Sequence, residues 1–318
     1  MKFTVIILFI VTIVASSVVT VFYKNHTKNA AGSLDAVWLF IGLSLPVSLI
    51  YLVLCIIGGF SFAPSTVFTA VAAAVCHSAA VLALLKSMKK GSFAISVIII
   101  NLNFCVPIIL SLIFLNEKAS FLQIAGILLL TGLIVFINRE KKHTDTSETS
   151  PNNSEPDKGS TSSNKSPRKI SYLIYAVIAC LTNGLMNFFI KTQQYFTPGQ
   201  GENTFYLVLY LTEAIGALIV LILTVFIRRK KGEAGKFRFN GKLLLNGFGM
   251  GLCFAVCMYP QTKLSQLVIA PVQFTVTAAG AVLLSIMIAC VKFREKFTLK
   301  HLLSTICCIS AITLQLIV

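Results

Sequence analysis

Apolar runs of about 20 residues recur along the whole chain, and they limit its fold more than any other feature. A helix needs about 20 consecutive apolar residues to cross the hydrocarbon core of a bilayer. Segments of this kind lie at 3–22, 36–58, 64–86, 92–115, 120–138, 170–191, 203–227, 241–262, 266–291 and 299–317. The sequence therefore predicts an all-α, polytopic membrane protein with ten transmembrane helices.

The composition agrees with membrane insertion and argues against other classes of protein. Of the 318 residues, 56% are hydrophobic and 12% are charged, whereas soluble domains carry about 25% charged residues. The net charge of +16 would suit nucleic acid, but we expect no nucleic-acid partner for a chain this apolar. The nine cysteines lie within apolar runs and form no Cys-x-x-Cys pair. We interpret them as small apolar side chains, and we predict neither a metal site nor a cofactor.

Basic residues are distributed unevenly between the two sides of the predicted helix bundle. Of the 27 Lys and Arg residues, 23 lie in the odd-numbered joints between spans. The other four are Lys2, Lys118, Lys191 and Lys263. Because basic residues concentrate in cytoplasmic loops, we expect a multi-pass protein of the cell (plasma) membrane. Its odd joints face the cytoplasm and both of its termini face outward.

Residues 1–22 share some features with a cleaved signal peptide, namely a basic start, an apolar core and the small residues Ala15 and Ser16. Their apolar run is long, however, and cleavage would leave the new N-terminus outside. Lys24 and Lys28 would lie close to that new N-terminus, and basic residues favour the cytoplasmic side instead. We therefore expect this segment to remain as the first span.

A polar, low-complexity segment at 139–169 divides the chain. It has too few apolar side chains to fold, so we predict a disordered cytoplasmic linker. The linker separates a first five-helix half, 1–138, from a second five-helix half, 170–318. An odd number of spans in each half inserts the second half upside down relative to the first. Inverted repeats of this kind are common in transporters, whose substrate site lies near the midplane between the halves.

A Glu-Lys pair marks the same joint in both halves, as Glu117-Lys118 and as Glu295-Lys296. These pairs lie in PIILSLIFLNEKASFLQIAGILLLTGLIVFI and in GAVLLSIMIACVKFREKFTLKHLLSTICCISAITLQLI. An acidic residue ends the fourth span of each half, and Pro107 precedes the first such glutamate by about ten residues. Over nearly its whole length the chain resembles the EamA-like branch of the drug/metabolite transporter superfamily. The resemblance implies alternating access and a cavity built from the first four helices of each half. We interpret both glutamates as joint residues at the membrane surface, where a charged side chain costs little free energy.

Two ionisable side chains fall in the middle of predicted spans. Glu213 lies ten residues into the seventh span, where a charge costs about 2.5–3.5 kcal/mol on insertion scales. We interpret it as a site for proton coupling or for a substrate ammonium group, the alternative being a carboxyl that only hydrogen-bonds a neighbouring helix. His77 lies at the middle of the third span and is a second candidate, the alternative being an imidazole with one structural hydrogen bond.

Polar side chains on single helix faces provide further candidates for substrate binding or coupling. Residues one helical turn apart share a face, as do the two members of each pair in the sixth and ninth spans. In the fourth span, two asparagines two residues apart point to roughly opposite faces, so we expect only one of them in the cavity. A tyrosine that ends the eighth span is a candidate rim or gate. These residues are Asn183 and Asn187, Gln273 and Thr277, Asn101 and Asn103, and Tyr259.

The segment NGFGMG at 246–251 superficially looks like a phosphate-binding glycine loop. That interpretation requires a preceding strand, whereas this segment lies inside an apolar helix. Gly247 and Gly251 are four residues apart, which is the spacing of close helix packing in membranes. The sequence therefore predicts a helix contact at these two glycines.

Taken together, these features predict an integral membrane secondary transporter of a small metabolite. The resemblance implies export of an amino acid or related solute, and proton coupling through Glu213 is a hypothesis. A sugar or nucleotide-sugar carrier is an alternative, although the absence of a cavity Lys or Arg argues against an anionic nucleotide. A non-transporting scaffold or lipid-handling subunit is another. HExxH, GxSxG and a paired mid-span Asp are all absent, so we do not expect an enzyme. The expected partners are a small-molecule substrate, the lipid bilayer and a second copy in a homodimer.

Overall fold

The computed structural model describes most of the chain as helix. The described residues are 3–29, 35–90, 99–100, 102–144, 167–198, 200–230, 240–292 and 299–316. In chain order we number the helices α1 (Phe3–Asn29), α2 (Asp35–Gly58), α3 (Pro64–Lys90), α4 (Cys105–Phe114), α5 (Phe121–Thr144), α6 (Pro167–Phe196), α7 (Glu202–Lys230), α8 (Gly241–Leu267), α9 (Ala270–Lys292) and α10 (Leu299–Leu316). A 3₁₀ turn, Leu102–Phe104, precedes α4.

These described residues are all-helical, without a strand, as predicted. Six helices are long and apolar enough to cross a membrane, namely α1, α2, α3, α6, α7 and α8. In the other predicted spans the described apolar helices are shorter, at Leu102–Phe114, Phe121–Leu133, Ala270–Leu284 and Thr305–Gln315. In lipid, a helix satisfies every backbone polar group internally, so the long apolar runs have no competing local structure.

Both ends of the predicted linker, 139–169, are helical in the structure. Helix α5 continues to Thr144, and α6 begins at Pro167. The first extension consists mainly of Arg, Glu and Lys, which are good helix formers. Proline suits the first helical position of α6, because the N–H that it lacks has no partner there. Residues 145–166 lie outside the described residues.

The helices of the two predicted halves pack against each other rather than as separate bundles. Helix α3 packs on α6 and α1 packs on α8. Helix α2 packs on α8 and α7 packs on α3, while α4 lies against α6 and α1 against α9. These six contacts form three sets, namely α3–α6 with α1–α8, α2–α8 with α3–α7, and α4–α6 with α1–α9. Exchanging each helix for the helix five places along the chain converts one contact of a set into the other. The contacts of α2 with α7 and of α5 with α10 also map onto themselves.

Several joints between helices meet at one end of the bundle. The N–H of Ser61, after α2, donates to the Thr204 hydroxyl near the start of α7 at 3.0 Å. The carboxylate of Glu117, after α4, accepts from the N–H of Ala270 at the start of α9 and pairs with Lys191 near the end of α6. We call this end the joint face, which holds 59–63, 115–120, the end of α6, the start of α7 and the α8–α9 corner.

Close contact between α2 and α8 depends on glycine. A Cβ at Gly247 would lie 2.7 Å from the Leu39 carbonyl oxygen, and one at Gly251 would lie 2.4 Å from that of Leu43. Real Cβ atoms do not approach so closely, so the backbones of these helices touch only because both positions lack a side chain. Small residues allow such approach between membrane helices. The predicted packing role of the NGFGMG segment is therefore confirmed.

Adding one methyl group at this contact tests its tightness. We expect Gly247→Ala to lower the free energy of unfolding by about 1–3 kcal/mol, because the helix backbones must separate to make room. The measurement is thermal unfolding of the purified protein in detergent. Gly216→Ala on α7 is the matched control, since its added Cβ would meet nothing within 4 Å. Equal effects of the two substitutions would contradict the close contact.

Candidate functional site

The two ionisable side chains predicted from mid-span positions lie together in the structure. His77 Nδ1 on α3 and Glu213 Oε1 on α7 are 2.6 Å apart. His77 is 2% exposed and Glu213 is 3% exposed, so neither reaches solvent or lipid. A buried pair of this kind compensates for the cost of taking each polar group out of water only if both keep good geometry. It joins one helix from each predicted half.

Aromatic rings surround the pair. The imidazole lies edge-on to the rings of Tyr210 and Phe254, with centroids 6.3 Å and 5.5 Å away. Tyr23 on α1 is close enough to Glu213 to interact with it electrostatically. The second carboxylate oxygen of Glu213 and the hydroxyl of Tyr210 are buried and make no hydrogen bond with the described residues. Unsatisfied buried polar groups are costly, so their clustering beside an ionisable pair marks a candidate functional site.

A polar stripe on α7 leads from the joint face to this pair. Its members are spaced four, four and three residues apart, which places them on one face of the helix. Glu202 pairs with Lys263 at 2.8 Å, and the Tyr206 hydroxyl hydrogen-bonds that of Thr262. The stripe extends over about 16 Å at 1.5 Å per residue. Its members on α7 are Glu202, Tyr206, Tyr210 and Glu213.

A second group of predicted residues meets in a hydrogen-bond network between α6, α8 and α9. The Gln261 amide donates to Asn187 Oδ1 at 3.0 Å. The Gln273 amide donates to the Gln261 carbonyl oxygen at 2.9 Å and to the Ser265 hydroxyl at 2.8 Å. Asn187 and Gln273 thus come from two separately predicted pairs and share one partner. We call these four side chains, Asn187, Gln261, Ser265 and Gln273, the amide network.

Lys191 and Glu117 are the important pair that the sequence analysis missed. Their Nζ and Oε1 atoms are 3.0 Å apart, and Lys191 is 4% exposed. The interpretation of Glu117 as a membrane-surface joint residue is incomplete, because its side chain is only 13% exposed and reaches into the protein. The argument from the absence of a cavity Lys is wrong for the same region. The sequence did contain a signal for this pair. Glu117 and Lys191 both lie at even-numbered joints, which the predicted topology places on the same side of the membrane.

A cavity of about 350 Å³ lies beside this pair on the joint face. Its wall includes Glu117, Lys191, Gln194, Ser265 and Gln266. Beside these polar residues the wall contains Tyr195, Pro198, Leu267, Val268 and Ile269, so its lining is of mixed polarity. The cavity borders the amide network through Ser265. It therefore provides a vestibule of mixed polarity at the end of the bundle where the joints meet.

The remaining predicted residues lie apart from these two groups. Asn101 is outside the described residues. Asn103 and Asn183 are half-buried, and the backbone carbonyl of Asn103 packs where a Cβ at Gly184 would lie. The Thr277 hydroxyl donates to the carbonyl of Gln273 within α9, whereas the Gln273 side chain belongs to the amide network.

Tyr259 is 53% exposed and lies under the Lys263 ammonium, 5.7 Å from Nζ to the ring centroid. It is at the outer side of the polar stripe rather than beside the His77–Glu213 pair. This outer position is compatible with the predicted role of Tyr259 at the rim of the site. Among the described residues, no group of three or more His, Cys, Asp or Glu side chains is placed to hold a metal ion.

Comparison with known proteins identifies the fold but not the family. No protein-family profile matches the chain, and no curated protein matches it. A solved structure described as "Crystal structure of protein" aligns with 100% of this chain and 98% of its own, with a TM-score of 0.69 and 11% identity. At that identity, the similarity shows a shared fold alone.

Removing one member of the His77–Glu213 pair should cost more than removing both. We expect His77→Phe, which keeps a ring beside Tyr210 and Phe254, to lower the free energy of unfolding by about 3–5 kcal/mol, because it leaves a buried carboxylate unpaired. Adding Glu213→Met should restore most of this loss. Denaturant unfolding of the two single variants and the double variant measures the coupling, and additive losses would contradict it.

Proposed function

We propose that the chain is a ten-span membrane protein of two oppositely inserted five-helix halves, in the EamA-like branch of the drug/metabolite transporter superfamily. The pattern of helix contacts supports this proposal. Most of the large contacts between the two predicted halves recur when a helix is exchanged for the one five places along the chain. This is the pattern expected of two similar units related by a twofold axis in the membrane plane.

We further propose that the protein is a secondary transporter that works by alternating access. The observation that carries this proposal is the buried pair of His77 and Glu213, 2.6 Å apart, between α3 and α7. Ionisable residues inside membrane segments are expensive and mark ion or substrate pathways. The surroundings of this pair change when α3 and α7 move relative to each other, so it is suited to take up a proton on one side and release it on the other.

The transported solute is proposed to be an amino acid or a related small metabolite, moved outward. A nucleotide-sugar carrier is less well supported, because the buried Lys191 already donates to three protein oxygens. It has no N–H left for a phosphate. A non-transporting scaffold differs in a simple respect, since no small solute should raise its melting temperature. A thermal-shift panel of amino acids, sugars and nucleotide sugars separates these three functions.

Proton coupling is tested in proteoliposomes that contain a pH-sensitive dye. Addition of a solute that stabilises the protein should change the internal pH with wild type and cause no change with Glu213→Gln, which cannot exchange a proton. The titratable groups facing Glu213 are His77, Tyr23 and Tyr210, so Tyr210→Phe is the control that keeps the carboxyl. An unchanged pH response in Glu213→Gln would overturn proton coupling through this residue.

The orientation proposed for the chain follows from its basic residues. With 23 of 27 Lys and Arg residues at odd joints, both termini face outward and the segment 139–169 faces the cytoplasm. We expect an epitope tag after Val318 to bind antibody on intact cells, and a tag inserted within 150–160 to bind only after permeabilisation. The reverse pattern of antibody binding would contradict this orientation.

A further inference from the structure

The α8–α9 corner leaves backbone polar groups in the interior without helical partners. Helix α8 ends at Leu267 because Val268 is extended, with φ −137° and ψ 150°, and α9 begins at Ala270. The final carbonyls of one helix and the first N–H groups of the next therefore meet within two residues. Such groups need partners where water is excluded.

Lys191 and Glu117 supply those partners with the appropriate charges. The Lys191 ammonium donates to the carbonyl oxygens of Ser265 at 3.0 Å and Val268 at 2.7 Å. The Glu117 carboxylate accepts from the N–H of Ala270 at 2.8 Å. A cation thus lies at the C-terminus of α8 and an anion at the N-terminus of α9, which is the arrangement that both helix dipoles favour.

The ammonium group is fully occupied by this arrangement. An ammonium has three N–H donors, and Lys191 Nζ has three oxygens, from Ser265, Val268 and Glu117, all within 3.0 Å. Two backbone carbonyls and a carboxylate around one positive charge also form the kind of oxygen site that holds a free cation. The ammonium of Lys191 occupies that site as a tethered cation.

The turn that delivers Glu117 is fixed by its own backbone. Asn116 has φ 51°, in the left-handed region that Asn tolerates better than other non-glycine residues. This conformation ends α4 and turns the next residue towards α6 and α9. The carboxylate therefore comes from the first predicted half, whereas Lys191 and the corner belong to the second.

We propose that this cluster, which we call the corner clasp, is the closed gate of the joint face, and that releasing Lys191 opens it. The corner clasp comprises Glu117, Lys191, the carbonyls of Ser265 and Val268, and the N–H of Ala270. It lies where the cavity meets the amide network, since Lys191 and Ser265 line the cavity and Asn187 lies one turn below Lys191 on α6. This inference rests on the proposed transport function, because a gate requires passage between the halves.

Opening is measured without any transported solute by labelling a cysteine beneath the clasp. Asn187→Cys places a thiol about 6 Å below Lys191 along α6. In full-length protein in proteoliposomes, a membrane-impermeant maleimide should label this thiol slowly, after subtraction of labelling in the parent protein. With Lys191→Met, which keeps the side-chain length and removes the charge, we expect labelling about tenfold faster or more. Lys263→Met, at the more exposed Glu202 pair, should leave the labelling rate unchanged.

Chemical rescue tests the idea of a tethered cation. Lys191→Ala also removes the ammonium but leaves room for a small cation in the oxygen site. Methylammonium at tens of millimolar should slow labelling in Lys191→Ala towards the rate with Lys191 intact. It should not do so in Lys191→Met, whose side chain fills the space. Exchange of the two charges, Glu117→Lys with Lys191→Glu, should not restore protection, because each charge would then oppose its helix end.

Three labelling results would overturn the proposal. They are unchanged labelling in Lys191→Met, equal acceleration in Lys263→Met, and full protection in the charge-exchanged variant. Glu117→Gln provides a second route if Lys191→Met is recovered poorly, and loss of folded protein in both would assign the clasp to stability alone, which also overturns a gating role. Faster labelling in Lys191→Met with no solute-driven pH change in wild type would support the gate and reject the coupling.

Discussion

A charge inside a membrane needs a partner, and in this protein the requirement determines which helices lie together. His77 and Glu213 lie in apolar segments that carry no compensating charge of their own. Their 2.6 Å contact therefore depends on α3 and α7 packing side by side. The aromatic rings of Tyr210 and Phe254 close the site around them. Because one member comes from each predicted half, the pair has its geometry only when the halves are assembled.

The polar groups of the protein are arranged in two layers with different chemistry. The deeper layer, around Glu213, contains an ionisable pair and unsatisfied oxygen atoms, which is a reactive arrangement. The layer at the joint face contains Lys191, Glu117 and the amide network, in which the ammonium and the amide side chains are bonded to protein. The stripe on α7 connects the two layers. The unsatisfied oxygen atoms around Glu213 can accept hydrogen bonds from a ligand or donate hydrogen bonds to it. The cluster around Lys191 has its hydrogen bonds satisfied by the protein, so it is suited to hold helices together.

The sequence alone predicts much of the fold, because length and apolarity leave a membrane segment few choices. The helix content and the first residues of most helices could be predicted to within a few positions. Glu213 and His77 were each recognised by the cost of their position, but their pairing depends on which helices touch, and no local pattern encodes that. Lys191 was missed for a related reason. A lysine at the end of a span normally reaches the membrane surface. Here Glu117 and the α8–α9 corner, whose last carbonyls lack helical partners, bind it in the interior.

The glycine contact between α2 and α8 has a consequence for motion. Where backbone touches backbone, at Gly247 and Gly251, there are no side chains whose rotation would let one helix slide past the other. Two helices that pack through interdigitated side chains can slide past each other by a small amount, because the side chains repack. Two helices whose backbones are in direct contact cannot, so movement of one moves the other. Helices α2 and α8 should therefore travel as one rigid body that spans both halves. Relative displacement must then be taken up elsewhere, at interfaces such as α3–α6 and α1–α8, whose side chains can repack.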